Sequence, residues 1–279
     1  IEQKLAQRHL PDGCRVFYDV SSSVSEGRTC PLAQFGHDRD GKKGLPVIVY
    51  GVLTDAEGRP VSVEVYPGNT GDPTTVPAHV EKLRDRFGLS RVVLVGDRGM
   101  LTETQLVTLR RFPGVGWISA LRGPAIRDLV ESGAVQPSLF DERHLAEILA
   151  PDYPGERLIA CFNPLLAEER RRTRQALVAA TERELAKIAR EVARRRKTPL
   201  TAAEIGVKVG RVRNRFKVGK HFALTIEDGG FCWARQEDAI GRETALDGIY
   251  VIRTSEPAAQ LSAADTVRTY KRLAVVERA

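Results

Sequence analysis

Two aspartates stand where apolar runs end. Val16-Phe17-Tyr18-Asp19-Val20 leads into three serines, and Val92-Val93-Leu94-Val95-Gly96-Asp97 leads into Arg98-Gly99-Met100. Apolar runs of this length, bounded by Gly and Ser, read as buried strands. A carboxylate at such an end is costly to bury alone, so it is held by a partner charge, by hydrogen bonds or by a metal. A glutamate, Glu277, lies on the last helical segment, where Val267, Tyr270, Ala274 and Glu277 recur at helical spacing and share a face. Carboxylates that converge on Mg²⁺ are the donor set for moving phosphoryl groups by a two-metal route. A plainer reading stands beside it. Asp19 would bond Ser22 or Ser23 in a strand-end turn, and Asp97 would cap the following helix or pair with Arg98.

The elements that must position these acids follow from the pattern. Residues 14–20, 46–53 and 61–66 read as strands joined by short, turn-like connections, which suggests antiparallel pairing, with Val61, Val63 and Val65 on one face of the third. Residues 74–87 read as a helix, 91–96 as a strand entered through that helix and so parallel to a neighbour, 102–111 as a helix and 116–121 as a fifth strand. Three antiparallel strands, a helix, a strand, a helix and a strand make up the element order of the ribonuclease H-like fold. The expected class is therefore α/β, a mixed five-stranded sheet flanked by helices. In that layout the ends of the first and fourth strands lie side by side, which would make neighbours of Asp19 and Asp97 across 78 positions of sequence.

Residues 1–121 form the first part of this core, and 122–246 read as a basic helix-plus-strand insertion. Residues 247–279 bring a returning strand and the terminal helix, opened at Ser262 by a capping-box variant. Within the insertion, 165–197 is a long helix with Leu177, Thr181, Leu185, Ile188 and Val192 along one stripe, ending in Arg194-Arg195-Arg196-Lys197. A short helix starts at Thr201. Arg211, Arg213, Arg215 and Lys217 then alternate with other residues, which in a strand would put four cations on one face. Trp233 reads as a core or hairpin-face residue.

Charge is concentrated in that insertion. From Leu165 to Lys220, seventeen Lys and Arg stand against six Asp and Glu, a net +11 in a chain whose total is +7, so the remainder is at −4. A basic segment beside a mildly acidic body points to a polyanion partner, nucleic acid before others. Nothing is long and apolar enough for a membrane span. Cys14, Cys30, Cys161 and Cys232 are scattered without a C-x-x-C pair, which speaks against zinc and for reduced thiols in the cytosol.

Several ordered motifs carry a family resemblance over nearly the whole chain. They are Tyr18-Asp19-Val20-Ser21-Ser22, Gly36-His37-Asp38-Arg39-Asp40-Gly41-Lys42, Tyr50-Gly51-Val52-Leu53-Thr54-Asp55, Pro67-Gly68-Asn69-Thr70, Val95-Gly96-Asp97-Arg98-Gly99-Met100, Asp247-Gly248-Ile249-Tyr250 and Tyr270-Lys271-Arg272-Leu273-Ala274-Val275-Val276-Glu277. Together they resemble the DDE transposases of bacterial insertion sequences, in the group whose core carries an insertion before the final glutamate. The resemblance implies a catalytic triad of Asp19, Asp97 and Glu277 holding two Mg²⁺ (or Mn²⁺) ions, with DNA end cleavage and strand transfer by in-line displacement at phosphorus. It implies transposon ends and target DNA as partners, a homodimer on paired ends, and a bacterial cytoplasmic, nucleoid-associated setting. Lys42, Lys43 and Arg98 would hold phosphates near the site, Tyr270 and Arg272 would contact a phosphate, and Arg194, Arg195, Arg196, Arg211, Arg213 and Arg215 would track donor DNA. A purely hydrolytic nuclease on the same fold and an inactive DNA-binding remnant are the alternatives. The chain departs from the pattern at Leu273, which stands where the family carries Arg, with Arg272 one residue earlier. It reads as a catalytic core trimmed on both sides.

Overall fold

Strand β1 (Cys14–Val24) shows why the first acid points where it does. Val16, Tyr18 and Val20 turn to one face of the sheet and Phe17 to the other, so Asp19 shares the side of Phe17. The strand outlasts its apolar run because Ser21 to Val24 keep pairing with β2 (Val47–Thr54) in antiparallel register, Asp19 opposite Val52 and Val24 opposite Val47. The structure, a computed structural model, describes residues 1–279 apart from 38, 40, 43, 137–139, 141–143, 149 and 277–279.

Strand β3 (Pro60–Pro67) pairs antiparallel with β2 through an irregularity at Leu53/Thr54. That bulge inverts the alternation. Val61 and Ser62 are both buried, while Val63 and Val65, expected beside Val61, lie on the opposite face and are each 52% exposed. Helix α1 (Glu2–His9) precedes the sheet; α2 (Asp72–Glu81) runs on through one wider turn at Lys82–Arg86 and delivers β4 (Val92–Val95) parallel to β1. Helix α3 (Glu103–Leu109) crosses to β5 (Val115–Ala120), parallel to β4.

Beyond β5 come α4 (Gly123–Glu131), β6 (Leu145–Ile148), β7 (Arg157–Phe162) and, much later in sequence, β10 (Ile249–Thr254). The described strands form one eight-stranded sheet in the order β3-β2-β1-β4-β5-β10-β7-β6. The expected ribonuclease H-like series is intact and three more strands extend it. β5 requires this, since Val115 to Ser119 are buried without a break, and such a strand cannot form a sheet edge. An ion-pair knot ties the extension to the core. Arg253 on β10 grips Glu156 through Nε and Nη2, both at 2.6 Å, Arg110 reaches the same carboxylate at 2.5 Å, and Arg253 Nη1 bonds Glu103 at 2.9 Å.

One face of the sheet packs on α1, α2 and α3 through Leu10, Val76, Val80, Leu83 and Leu106. The other packs on α8 (Ala263–Lys271) and α9 (Leu273–Val276). These elements make one compact unit, Ile1–Cys161 with Tyr250–Ala279, and Phe162–Ile249 make a second. No helix of the described residues is long and apolar enough to cross a membrane.

The second unit is built on α5 (Pro164–Arg194), whose buried positions, Arg174, Val178, Thr181, Leu185, Ile188 and Val192, alternate four and three residues apart. Leu177, expected on this stripe, is only half-buried and Val178 takes its place. Helix α6 (Ala202–Phe216) opens on a full capping box, Thr201 with Glu204. It runs straight through the arginines expected in a strand, because Ile205, Val209, Val212 and Phe216 keep helical spacing against α5. The hairpin β8 (Phe222–Glu227) and β9 (Gly230–Arg235) closes the same core, with Trp233 edge-on to Phe222 at 6.0 Å, and α7 (Glu237–Thr244) follows.

Behind Asp19, the strand's inner face carries a polar cluster. Tyr18 donates to Thr75 Oγ1 at 2.6 Å, and its ring lies 4.1 Å from His79, which shares a hydrogen bond with Tyr66 at 2.9 Å. Gly51 makes the room, since a Cβ there would run into the Tyr18 ring. Burial pushes the His79 imidazole down to about 4, so the folded ring is neutral. An unfolded chain with the ordinary pKa of about 6.5 takes up a proton that the fold refuses. The stability His79 supports is whole above pH 6.5 and is lost as pH falls toward 4, by about 3 kcal/mol in all. Urea midpoints at pH 7.5, 6 and 5 should fall steadily for the wild type and more shallowly for His79→Gln.

Candidate active site

Parallel pairing of β1 with β4 sets the site. Phe17 stands opposite Val95. Asp19 and Asp97 each lie two residues further on, Asp19 still within β1 and Asp97 in the turn that follows β4, so the register continued would bring the two carboxylates to one level on strands about 4.8 Å apart. Phe17 and Val95 both belong to the apolar cluster under α8 and α9. By the two-residue period, Asp19 and Asp97 rise on that same face. Both are half-buried.

Asp97 sits in a turn whose polar groups are nearly all engaged. Its Oδ1 accepts the Met100 N–H at 2.7 Å, and its carbonyl accepts the Leu101 N–H at 3.0 Å and the Ser119 hydroxyl at 3.1 Å. Arg122 donates from Nε to the Arg98 carbonyl at 3.1 Å and from Nη2 to the Gly99 carbonyl at 3.5 Å. A Cβ on Gly99 would stand 3.2 Å from Asp97 Oδ2 and 3.3 Å from Oδ1, so glycine leaves room for the carboxylate in the turn. Ser119 and Arg122 were not singled out from sequence. One lies inside an apolar strand and the other beyond its end, and no spacing marks either.

The terminal helices are described as far as Val276. Bonds from Arg272 N–H to Thr269 at 3.0 Å and from Val275 N–H to Arg272 at 2.9 Å tighten the chain to three residues per turn. The buried side therefore reads Val267, Tyr270, Leu273, Val276, and Ala274, expected among them, is exposed. Leu273 packs with Phe17 and Val95, which is why an apolar residue suits that position. Glu277 and Lys43 lie outside the described residues.

The cations divide. Arg98 is exposed on the Asp97 turn, Lys42 is exposed in its loop, and Arg272 is exposed between α8 and α9, whereas Tyr270 fills the helix–sheet interface. In the second unit Arg195 pairs with Glu191 at 3.3 Å, Arg194 and Arg196 are exposed, and α6 places Arg211 and Arg215 on one face and Arg213 on another. Among the described residues no group of three or more His, Cys, Asp or Glu could hold a metal. The two described carboxylates are oxygen donors of the kind a hard divalent cation takes, each two residues past a register pair of β1 and β4.

A mixed sheet whose central strands β1, β4 and β5 run parallel, with β2 and β3 antiparallel beside them and helices on both faces, defines a ribonuclease H-like core. The chain belongs to the Transposase DDE domain family, which matches residues 26–279. That match begins after Asp19, whose place in the site rests on the strand register. No curated protein matches the sequence. Similar solved structures include two transposase complexes. A piggyBac transposase synaptic complex with hairpin DNA is 13% identical over 56% of this chain and 32% of its own, at a TM-score of 0.36. A Mos1 transposase paired-end complex with the left transposon end is 14% identical over 46% and 40%, at 0.27. The chain thus spans less than half of either.

Arg122→Ala frees two carbonyls of the Asp97 turn while leaving the buried core untouched. Calorimetric titration with Mn²⁺ should show affinity weakened roughly three- to tenfold, the equivalent of one hydrogen bond of about 1 kcal/mol. The melting temperature should move little, and Arg122→Lys should recover part of the loss.

Proposed function

We propose that this chain is the catalytic core of a transposase that cuts DNA ends and joins them to a target, with Asp19, Asp97 and Glu277 as its carboxylates. The observation that supports the reading is the parallel β1–β4 register, in which Phe17 stands opposite Val95 and Asp19 and Asp97 each follow two residues later. Family membership supplies the chemistry. Two Mg²⁺ or Mn²⁺ ions, when bound, supply Lewis acidity at the phosphate and a more acidic attacking hydroxyl. The chain's own part is positional. The Met100 N–H holds the Asp97 carboxylate, Ser119 and Arg122 hold the backbone of its turn, and pairing with Val52 holds Asp19 on β1. In the proposed reaction a water or DNA 3′-hydroxyl oxygen bonds to phosphorus as the opposite P–O bond breaks, and the departing oxygen takes up a proton. Exposed Arg98 and Lys42 offer charge to the phosphates beside the acids.

The electrostatics support DNA as the partner. Phe162–Ile249 contain nineteen Lys and Arg against twelve Asp and Glu, so the second unit holds the whole +7 of the chain and the first is neutral. Attraction and chemistry are thus assigned to different units.

Mn²⁺-dependent joining of a labelled, pre-cut DNA end to a plasmid tests the reading. The wild type should give joined products, and Asp97→Asn should reduce them by at least a thousandfold, the order expected when a group central to transition-state stabilisation is lost. Nicking without joining would assign the fold to a nuclease, and joining that persists in Asp97→Asn would refute the site.

A further inference from the structure

The helical course of α6 separates two sets of cations that a strand would have merged. Arg211 and Arg215, one turn apart, line a groove against α5 together with Glu184, Lys187, Glu191 and Lys208. Two carboxylates in that groove offset two of its four cations. Lys208 bonds Glu191 at 3.0 Å, Lys187 bonds Glu184 at 2.7 Å, and the Arg215 guanidinium lies 5.2 Å over the Phe216 ring.

Elsewhere at the end of α6 lies a depression of about 380 Å³ lined by Gly210, Arg213, Asn214, Lys217, Gly219 and Lys220, with no carboxylate in its lining. Its backbone is unusual in a way that favours charge. Helix α6 ends on Lys217 in the left-handed conformation (φ 56°), its N–H on the Arg213 carbonyl at 2.8 Å. Glycine normally takes that position, and a side chain there costs on the order of 1 kcal/mol. Glycine stands two residues later instead, where a Cβ would meet Arg213 Nε at 2.6 Å, so Gly219 leaves space for the arginine to lie along the backbone. Lys220 is partly offset by Glu243 at 2.9 Å, while Arg213 and Lys217 form no ion pair among the described residues.

We propose that this depression is the site where the second unit grips the sugar–phosphate backbone of DNA, with Arg213 and Lys217 as the principal phosphate contacts and the Asn214 amide as an added donor. The inference rests on DNA being the partner and specifies the residues that hold it. Backbone contacts fix position without reading bases, so the site accepts any sequence.

Fluorescence anisotropy of the full chain on two labelled duplexes of unrelated sequence, across a KCl series, tests it. Arg213→Ala/Lys217→Ala should weaken binding to both duplexes roughly tenfold or more at 100 mM KCl and lower the slope of log affinity against log salt by about 2. Arg211→Ala/Arg215→Ala removes the same charge from the groove that also holds Glu184 and Glu191, and should cost less on both measures. Lys217→Gly separates folding from binding, because it relieves the left-handed strain and should raise the melting temperature while lowering the salt slope by about 1. Unchanged binding in Lys217→Gly, or an equal or larger loss from the Arg211/Arg215 pair, would overturn the site while leaving DNA as the partner. Absence of DNA binding by the wild type would overturn the partner and the site together.

Discussion

The parallel register between β1 and β4 is the constraint from which the rest of the site follows. A slip of one residue would send one aspartate to the face packed on α1, α2 and α3 and leave the other alone. The register is fixed at the far end of the strands, away from the acids. Gly13 N–H bonds the Arg91 carbonyl at 2.7 Å, and Asp12 accepts the Arg91 N–H at 2.7 Å and the Ser90 hydroxyl. The same aspartate therefore ties the entry of β1 to the entry of β4. The opposite ends are left to carry chemistry, and the Val16, Phe17, Leu94 and Val95 side chains between them make the pairing stiff.

Much of this arrangement was legible because it rests on local patterns. Short turns predict antiparallel neighbours, a helix between strands predicts a parallel one, and the central order follows from those two rules. The particulars that escaped depend on tertiary context. An alternating Val61, Val63, Val65 looks like one face until a bulge opposite Thr54 adds a residue. Arg211, Arg213 and Arg215 look like strand alternation when read alone, but the apolar residues between them keep time with Ile205 and Val209 on a helix already capped at Thr201. Of the three strands beyond β5, β10 was expected as the returning strand, whereas β6 and β7 come from stretches of weak periodicity, and the burial of β5 on both faces is what demands a neighbour there.

The candidate site divides in the same way. Asp19 and Asp97 announce themselves because a charged group at the end of an apolar strand is conspicuous. Ser119 and Arg122 do not, since their role is to occupy carbonyls of a turn that lies more than twenty residues away in sequence. Leu273 shows the reverse case. Against the family pattern it is an anomaly, yet in the structure it is buried in the apolar cluster that holds Phe17 and Val95. A tightened helix turned that position inward, where a cation would be costly.

Crystals of the chain soaked in Mn²⁺ and measured at the manganese absorption edge test the central claim most directly. Anomalous density at about 2.0–2.4 Å from carboxylate oxygens of both Asp19 and Asp97 is the expected result, since hard divalent cations take oxygen ligands at that range. Manganese held by one aspartate without the other, or bound only elsewhere, would contradict a shared site built by the β1–β4 register.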